Sequence, residues 1–158
     1  MIGLLKLDQT DLRILQSLQA DGRRPYTEIA KQYGISEGKV RFRINRMMES
    51  GVFEFVIHTN PSKIGLHVQA IIGIVTKVGY RDKVAMELAD CKEVRFVGAF
   101  AGKYEIMIQA YFPSNERLIE FTDLYLSKVD GIEATDVFLE LKDYKDSFSY
   151  IDLADEHF

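Results

Sequence analysis

The stretch Thr27–Gly51, TEIAKQYGISEGKVRFRINRMMESG, constrains the chain most, because it reads as two short helices joined by a tight turn. Gly34 suits the left-handed position that ends the first helix, and Ser36 suits the N-cap of the second, where its hydroxyl accepts a backbone N–H. The second helix is basic: Lys39, Arg41, Arg43 and Arg46 face a single acid, Glu37, over residues 36–46. This is helix-turn-helix grammar, in which the second helix lies in the major groove of double-stranded DNA, so a DNA-binding protein is expected.

Whole-chain charge opposes that reading only when two unlike halves are summed. The net charge is −4, but residues 1–60 carry nine Lys/Arg against seven Asp/Glu, a net of +2, and residues 61–158 carry 11 against 17, a net of −6. The positive field therefore sits on the helix expected to meet phosphate. No apolar run reaches the roughly 18 residues of a membrane helix, and Met1–Leu7 lacks signal-peptide order. A lone cysteine, Cys91, can make neither an internal disulfide nor a cysteine-based zinc site, and a cytoplasmic protein is expected.

Ahead of the helix-turn-helix, Asp8 can cap a first helix, Asp11 adds charge to its first turn, and Leu7 and Leu12 occupy staple positions. Ile14, Leu15 and Leu18 supply its buried stripe, Gly22 ends it, and Ile29 and Ala30 point inward from the next helix. After Gly51 the period becomes two, and Val52, Phe53, Phe55, Val56 and Ile57 suggest a β-wing or a connecting strand. Asn60-Pro61-Ser62 breaks that pattern. The expected layout is a winged helix-turn-helix domain over 1–60, a linker over 61–65, a second domain over 66–143 and a tail over 144–158.

The second domain alternates. Strands are expected over 68–78, 94–100, 104–112 and 132–141, and helices over 81–89 and 116–129. The order βαββαβ is that of a split-βαβ, ferredoxin-like sandwich, making the chain α+β. Gly102-Lys103 suits a two-residue type II′ hairpin. Leu118, Phe121, Thr122, Tyr125 and Val129 recur at helical spacing and can cover one sheet face. The first strand is apolar on both faces, and two helices cover only one. The other face needs a partner, so a homodimer or larger assembly through the sheet faces is expected. The tail, with Tyr144, Phe148, Tyr150 and Phe158, either packs on a neighbouring subunit or frays.

Placing the basic helix on a wheel at about 100° per residue puts Val40, Ile44 and Met47 on the core side and Gly38, Lys39, Phe42, Asn45 and Arg46 on the far side. Lys39 and Phe42 are expected to read bases, with Phe42 against a thymine methyl, and Arg41, Arg43 and Arg46 to touch the DNA backbone. Ser36 caps the helix and can also meet phosphate. Alternative readings stand beside these: a salt bridge from Arg43 to an acid such as Glu49, packing of Phe42 against the wing, and a purely structural role for the hairpin glycines Gly98 and Gly102.

Six segments in order then resemble the Lrp/AsnC (leucine-responsive and asparagine regulator) family of transcription factors: Leu7-Asp8-x-x-Asp11-x-x-Ile14-Leu15, Gly22-Arg23, Ile35-Ser36-x-x-x-Val40-x-x-Arg43-Ile44, Gly51-Val52, Asn60-Pro61-x-x-Ile64-Gly65 and Gly98-x-x-x-Gly102-x-Tyr104-Glu105. The resemblance implies a sequence-specific regulator whose second domain, of the RAM or ACT-like kind, binds a small effector, an amino acid, with dimers that often assemble further into octamers. It places the effector at Gly98, Gly102, Tyr104 and Glu105. Glu105 stands where the family usually has aspartate, and Phe53 where it usually has isoleucine.

An enzyme is the rival class, since some proteins similar to this family are sirohaem decarboxylases and the fold hosts many chemistries. The residues give it little: His58, His67 and His157 are scattered without metal-ligand spacing, and no P-loop, GxSxG or HExxH occurs. No catalytic residue, metal or cofactor is expected, and Cys91 reads as a small spacer.

Overall fold

The computed structural model describes residues 5–145 and 150–151, which fall into two compact units, the first running to Ile57 and taking up the chain again from Lys145, the second spanning His58–Tyr144. In the first unit, α1 (Gln9–Ala20) opens with a reciprocal capping box. The Asp11 N–H donates to Asp8 Oδ1 at 2.9 Å while the Asp8 N–H donates to Asp11 Oδ2 at 3.0 Å, so two of the orphan donors of the first turn are satisfied by side chains. Helix α2 (Tyr26–Tyr33) ends at Gly34, whose φ of 65° is the left-handed conformation a side chain disfavours. Two residues on, the Ser36 hydroxyl accepts the Lys39 N–H at 3.2 Å and starts α3 (Glu37–Glu49). Ile14, Ile29, Val40, Ile44 and Met47 are wholly buried and form the centre of this three-helix core.

Two expectations for this unit change. Phe53–Ile57 forms no strand, because a strand needs a ladder partner and none among the described residues pairs with it. Phe53 instead packs on the helical core and meets Phe55 edge-on at 5.3 Å, while Val56 and Ile57 are exposed. Within the tail, Ile151 lies half-buried on the same helical core of its own chain, an arrangement neither expectation for that segment included. Phe148 and Phe158 lie outside the described residues.

The second unit is a four-stranded antiparallel sheet in the order β2-β3-β1-β4, built from β1 (Val68–Thr76), β2 (Val94–Ala99), β3 (Ile106–Phe112) and β4 (Ile132–Leu139). With α4 (Arg81–Ala89) and α5 (Asn115–Glu120) this is the ferredoxin-like βαββαβ arrangement. Ala70, Ile72 and Ile74 on β1 and Ile106, Ile108 and Ala110 on β3 are fully buried and pack with Val84, Leu88 and Leu118 of the helices. The alternate residues look the other way. There Phe96, Phe100 and Phe138 remain exposed beside the half-buried Ile71, Val75 and Met107.

The expected helix over 116–129 changes character after Glu120. Phe121–Tyr125 is a π-turn and Leu126–Lys128 a 3₁₀ turn. The wider turn rotates the following residues, so the buried stripe passes through Leu126, which a uniform helical period left out, and Thr122 and Tyr125 end half-buried. Hydroxyls compete for the backbone here: Thr122 donates to the Ile119 carbonyl at 3.0 Å and Ser127 to that of Asp123. The β2–β3 hairpin is also longer than the expected two-residue turn. The Phe100 N–H donates to the Glu105 carbonyl at 3.0 Å, leaving four residues, 101–104, in the loop.

Candidate nucleic-acid interface and effector cleft

The polar residues of α3 divide sharply. Phe42 is 65% exposed and Lys39, Asn45 and Arg41 are exposed around it, all on the side away from Val40, Ile44 and Met47. Arg41 pairs with Glu37 one turn earlier at 2.8 Å and lies over the Tyr26 ring, 5.3 Å from its centroid. Both contacts are at the surface, where such pairs are worth about 0–1 kcal/mol and yield readily to a stronger partner. Ser36 is exposed at the helix N-terminus with its hydroxyl engaged in the cap.

Arg43 and Arg46, expected at the DNA backbone, hold a different position. Arg43 Nη1 donates to Asp11 Oδ1 at 2.7 Å and to Asp8 Oδ2 and Oδ1 at 2.8 and 2.9 Å. Arg46 Nη2 donates to Asp11 Oδ2 at 2.6 Å. Asp11 has no solvent exposure at all. The hydrogen bond that Arg43 donates to Asp11, and then those to Asp8, hold its guanidinium above its ordinary pKa. The Asp11 N–H and Arg43 together hold the Asp8 carboxyl below the usual carboxylate range. The salt bridge allowed for Arg43 thus exists, but with α1 in place of Glu49. Sequence spacing missed it because the partners lie 32 and 35 residues away. The available signal was a pair of acids in one capping box, more negative charge than a cap requires.

The four expected effector residues are not gathered at one place. Glu105 lines a cleft of about 370 Å³ with Thr76, Lys77, Val78, Gly79, Arg81 and Asp82, and its Oε2 accepts the Thr76 N–H at 3.0 Å. Tyr104 lies on the outer sheet face, its ring filling the space above Gly73, where an added Cβ would stand 2.7 Å from the ring. Its hydroxyl donates to Asp136 at 2.7 Å, and Lys103 donates to the same carboxylate at 2.8 Å, holding Asp136 below its ordinary pKa. Gly98 is flanked by the Phe96 and Phe100 rings, and a Cβ there would meet them at 2.7 and 2.8 Å. Gly102 is in the loop itself. The remaining cleft residues were not singled out in the sequence, although Gly79, with φ of 85°, marks the tight β1–α4 turn that shapes the wall.

Cys91 is a spacer with a partner: its thiol donates to the Tyr125 hydroxyl at 3.0 Å, and burial pushes its pKa up, away from thiolate chemistry.

Two family models cover both units: residues 7–48 match the AsnC-type helix-turn-helix domain and residues 69–150 the Lrp/AsnC ligand binding domain. The chain belongs to the Lrp/AsnC family. An uncharacterized HTH-type transcriptional regulator of Pyrococcus furiosus is 37% identical over 131 residues, 82% of this chain and 88% of that protein. The regulator FL11 of the same organism is 33% identical over 142 residues, 89% and 93% of the two chains. Among solved structures, Escherichia coli AsnC superposes with a TM-score of 0.87 at 25% identity, covering 91% of this chain and 98% of AsnC. A Neisseria meningitidis transcriptional regulator in complex with L-Met does so with a TM-score of 0.85 at 24% identity, covering 91% and 96%. This Lrp/AsnC protein is accordingly a transcriptional regulator with a helix-turn-helix DNA-binding domain and a ligand-binding domain. Among its described residues no helix is long and apolar enough to cross a membrane.

Proposed function

We propose that α3 reads a specific operator through Lys39 and Phe42, with Arg41 and the Ser36 end of the helix at the phosphates, and that an amino acid bound by the second unit tunes this binding. The observation that carries the reading is Phe42, an aromatic residue 65% exposed at the centre of the outward face of α3. Contact with base edges and a thymine methyl would bury it. For the effector, the cleft beside Glu105 sets the cations Lys77 and Arg81 and the acid Asp82 around one opening, which suits the carboxylate and ammonium of an amino acid. The Neisseria relative's complex with L-Met supports that class of ligand. The protein binds its effector without transforming it, and works in the cytoplasm on the nucleoid.

The outer sheet face, where Phe96, Phe100 and Phe138 are each exposed by more than 40%, fits a second copy of the chain. A two-fold dimer presents two α3 helices, so the operator is a palindrome with half-sites about 34 Å or a multiple apart. Larger assemblies, up to an octamer, would then use other surfaces, and Gly98 and Tyr104 would act by shaping the paired face. Selection of bound fragments from genomic DNA, with and without a panel of amino acids, tests the whole reading. Palindromic fragments whose recovery shifts with one amino acid are expected; fragments without a common sequence would refute operator reading, and a micromolar monomer in analytical ultracentrifugation would refute the dimer.

A further inference from the structure

We infer that Arg43 and Arg46 are positioning residues: clamped by Asp8 and Asp11, they set the orientation of α3 against α1 and make no phosphate contact. The inference rests on α3 being the DNA-reading helix, and it separates the bases of that helix into two jobs. The geometry carries it. Arg43 and Arg46 sit one turn apart on α3, and each donates to one oxygen of the same carboxylate, Arg43 to Asp11 Oδ1 and Arg46 to Asp11 Oδ2. Rotating α3 about its axis, or sliding it by a turn, breaks both bonds together. Asp11 is itself held in place, because its Oδ2 also accepts the Asp8 N–H and its own N–H caps onto Asp8. The start of α1 and the middle of α3 thus form one hydrogen-bonded network.

The same geometry removes these arginines from the phosphates. Phosphate recognition by arginine relies on presenting two parallel N–H groups. In Arg46, Nη2 is taken by Asp11 and Nε is buried without a hydrogen-bond partner, so that edge of the fork is closed. In Arg43, Nη1 already serves three carboxylate oxygens and the side chain is only 15% exposed. Breaking such a pair would leave the Asp11 carboxylate, with no solvent exposure, short of its counter-charge. The outward cations of α3 are therefore Lys39 and Arg41. Orientation matters more for reading bases than for meeting phosphate, since base hydrogen bonds are directional while a cation tolerates displacement.

The test measures affinity for a selected operator and for a random-sequence duplex across a salt series, in the full chain. For Arg46→Gln, the salt slope is expected to match wild type on both DNAs while the operator-to-random ratio falls about fivefold, the scale of one base contact partly lost. Arg46→Lys, which returns a cation to Asp11, should recover part of that ratio. Arg41→Gln should lower the slope by about one on both DNAs, the signature of a lost phosphate contact. A slope lowered by about one in Arg46→Gln, with equal losses on both DNAs, would overturn the inference, as would a ratio left unchanged. Circular dichroism checks folding, and Arg46→Met, which keeps the stem's packing, gives the same two readings should Arg46→Gln not fold. Wild-type protein without preference for any duplex would overturn the DNA-reading role itself. A wild-type preference joined to a reduced Arg46→Gln slope would overturn only the positioning role.

Discussion

The core of the helical unit has a carboxylate at its edge, Asp11, closed from water between two guanidiniums, whereas the sheet unit buries a continuous hydrocarbon cluster with Thr76 as its buried polar residue. The difference follows from what each unit can bury. Helices of 12, 8 and 13 residues enclose a small core, and apolar contacts alone leave helix rotation loosely specified. An ion network with fixed donor and acceptor directions specifies it. The sheet has its register set by a full ladder of backbone hydrogen bonds, so its interior needs no such device. Its charged residues move to the surface, as in Lys103, Tyr104 and Asp136.

Substitutions can break or sharpen this contrast. The largest effect is expected for Asp11→Ala, which leaves Arg43 and Arg46 without their shared counter-charge: about 3–5 kcal/mol, with loss of amide-exchange protection concentrated in α1 and α3. Next comes Ile108→Ala at the centre of the sheet core, about 2–5 kcal/mol, read by urea unfolding and localised by exchange to β1 and β3. If Asp11→Ala proved as mild as a surface change, the ion network would be an ornament and the contrast would fail. Gly73→Ala should cost about 1–3 kcal/mol by driving the Tyr104 ring off the sheet, and ultracentrifugation should show weakened self-association. The smallest effect is Asp8→Asn. Because the Asp8 pKa is depressed in the folded chain, its ionised form adds stability above the ordinary value of about 3.9 that is lost as pH falls through the folded value. Asp8 is half exposed, so the variant should differ from wild type by under about 1 kcal/mol near neutral pH, and the two acid-unfolding curves should converge at the lowest pH.

Much of this was legible from the chain alone where the cause is local. Asp8 and Ser36 announce caps, Gly34 announces the turn, and a period of two with apolar residues on both faces announces a sheet needing cover on each side. The βαββαβ order and the outward place of Phe42 followed from the same periodicities. The wing did not form, because strand propensity over Val52–Ile57 has no effect without a neighbouring strand. The stripe of the last helix shifts onto Leu126 because one π-turn breaks the constant helical period. Glu105 parts from Tyr104 for a related reason: adjacent residues leaving a hairpin point to opposite faces of the sheet, so Glu105 reaches the cleft while Tyr104 stays with Gly98 on the outer face.

What the sequence by itself determined, then, is the list of elements, their ends and the face that each must bury, because caps, turns and periodicity act within a few residues. Only the tertiary structure decided which cations of α3 are drawn into the protein and which stay at its surface. Arg41 and Arg43 are alike in composition and two positions apart, yet one faces out and the other meets a carboxylate 32 residues earlier in the chain. That choice depends on where α1 packs against α3, and electrostatic pairing follows distance in space, which spacing along the chain does not encode.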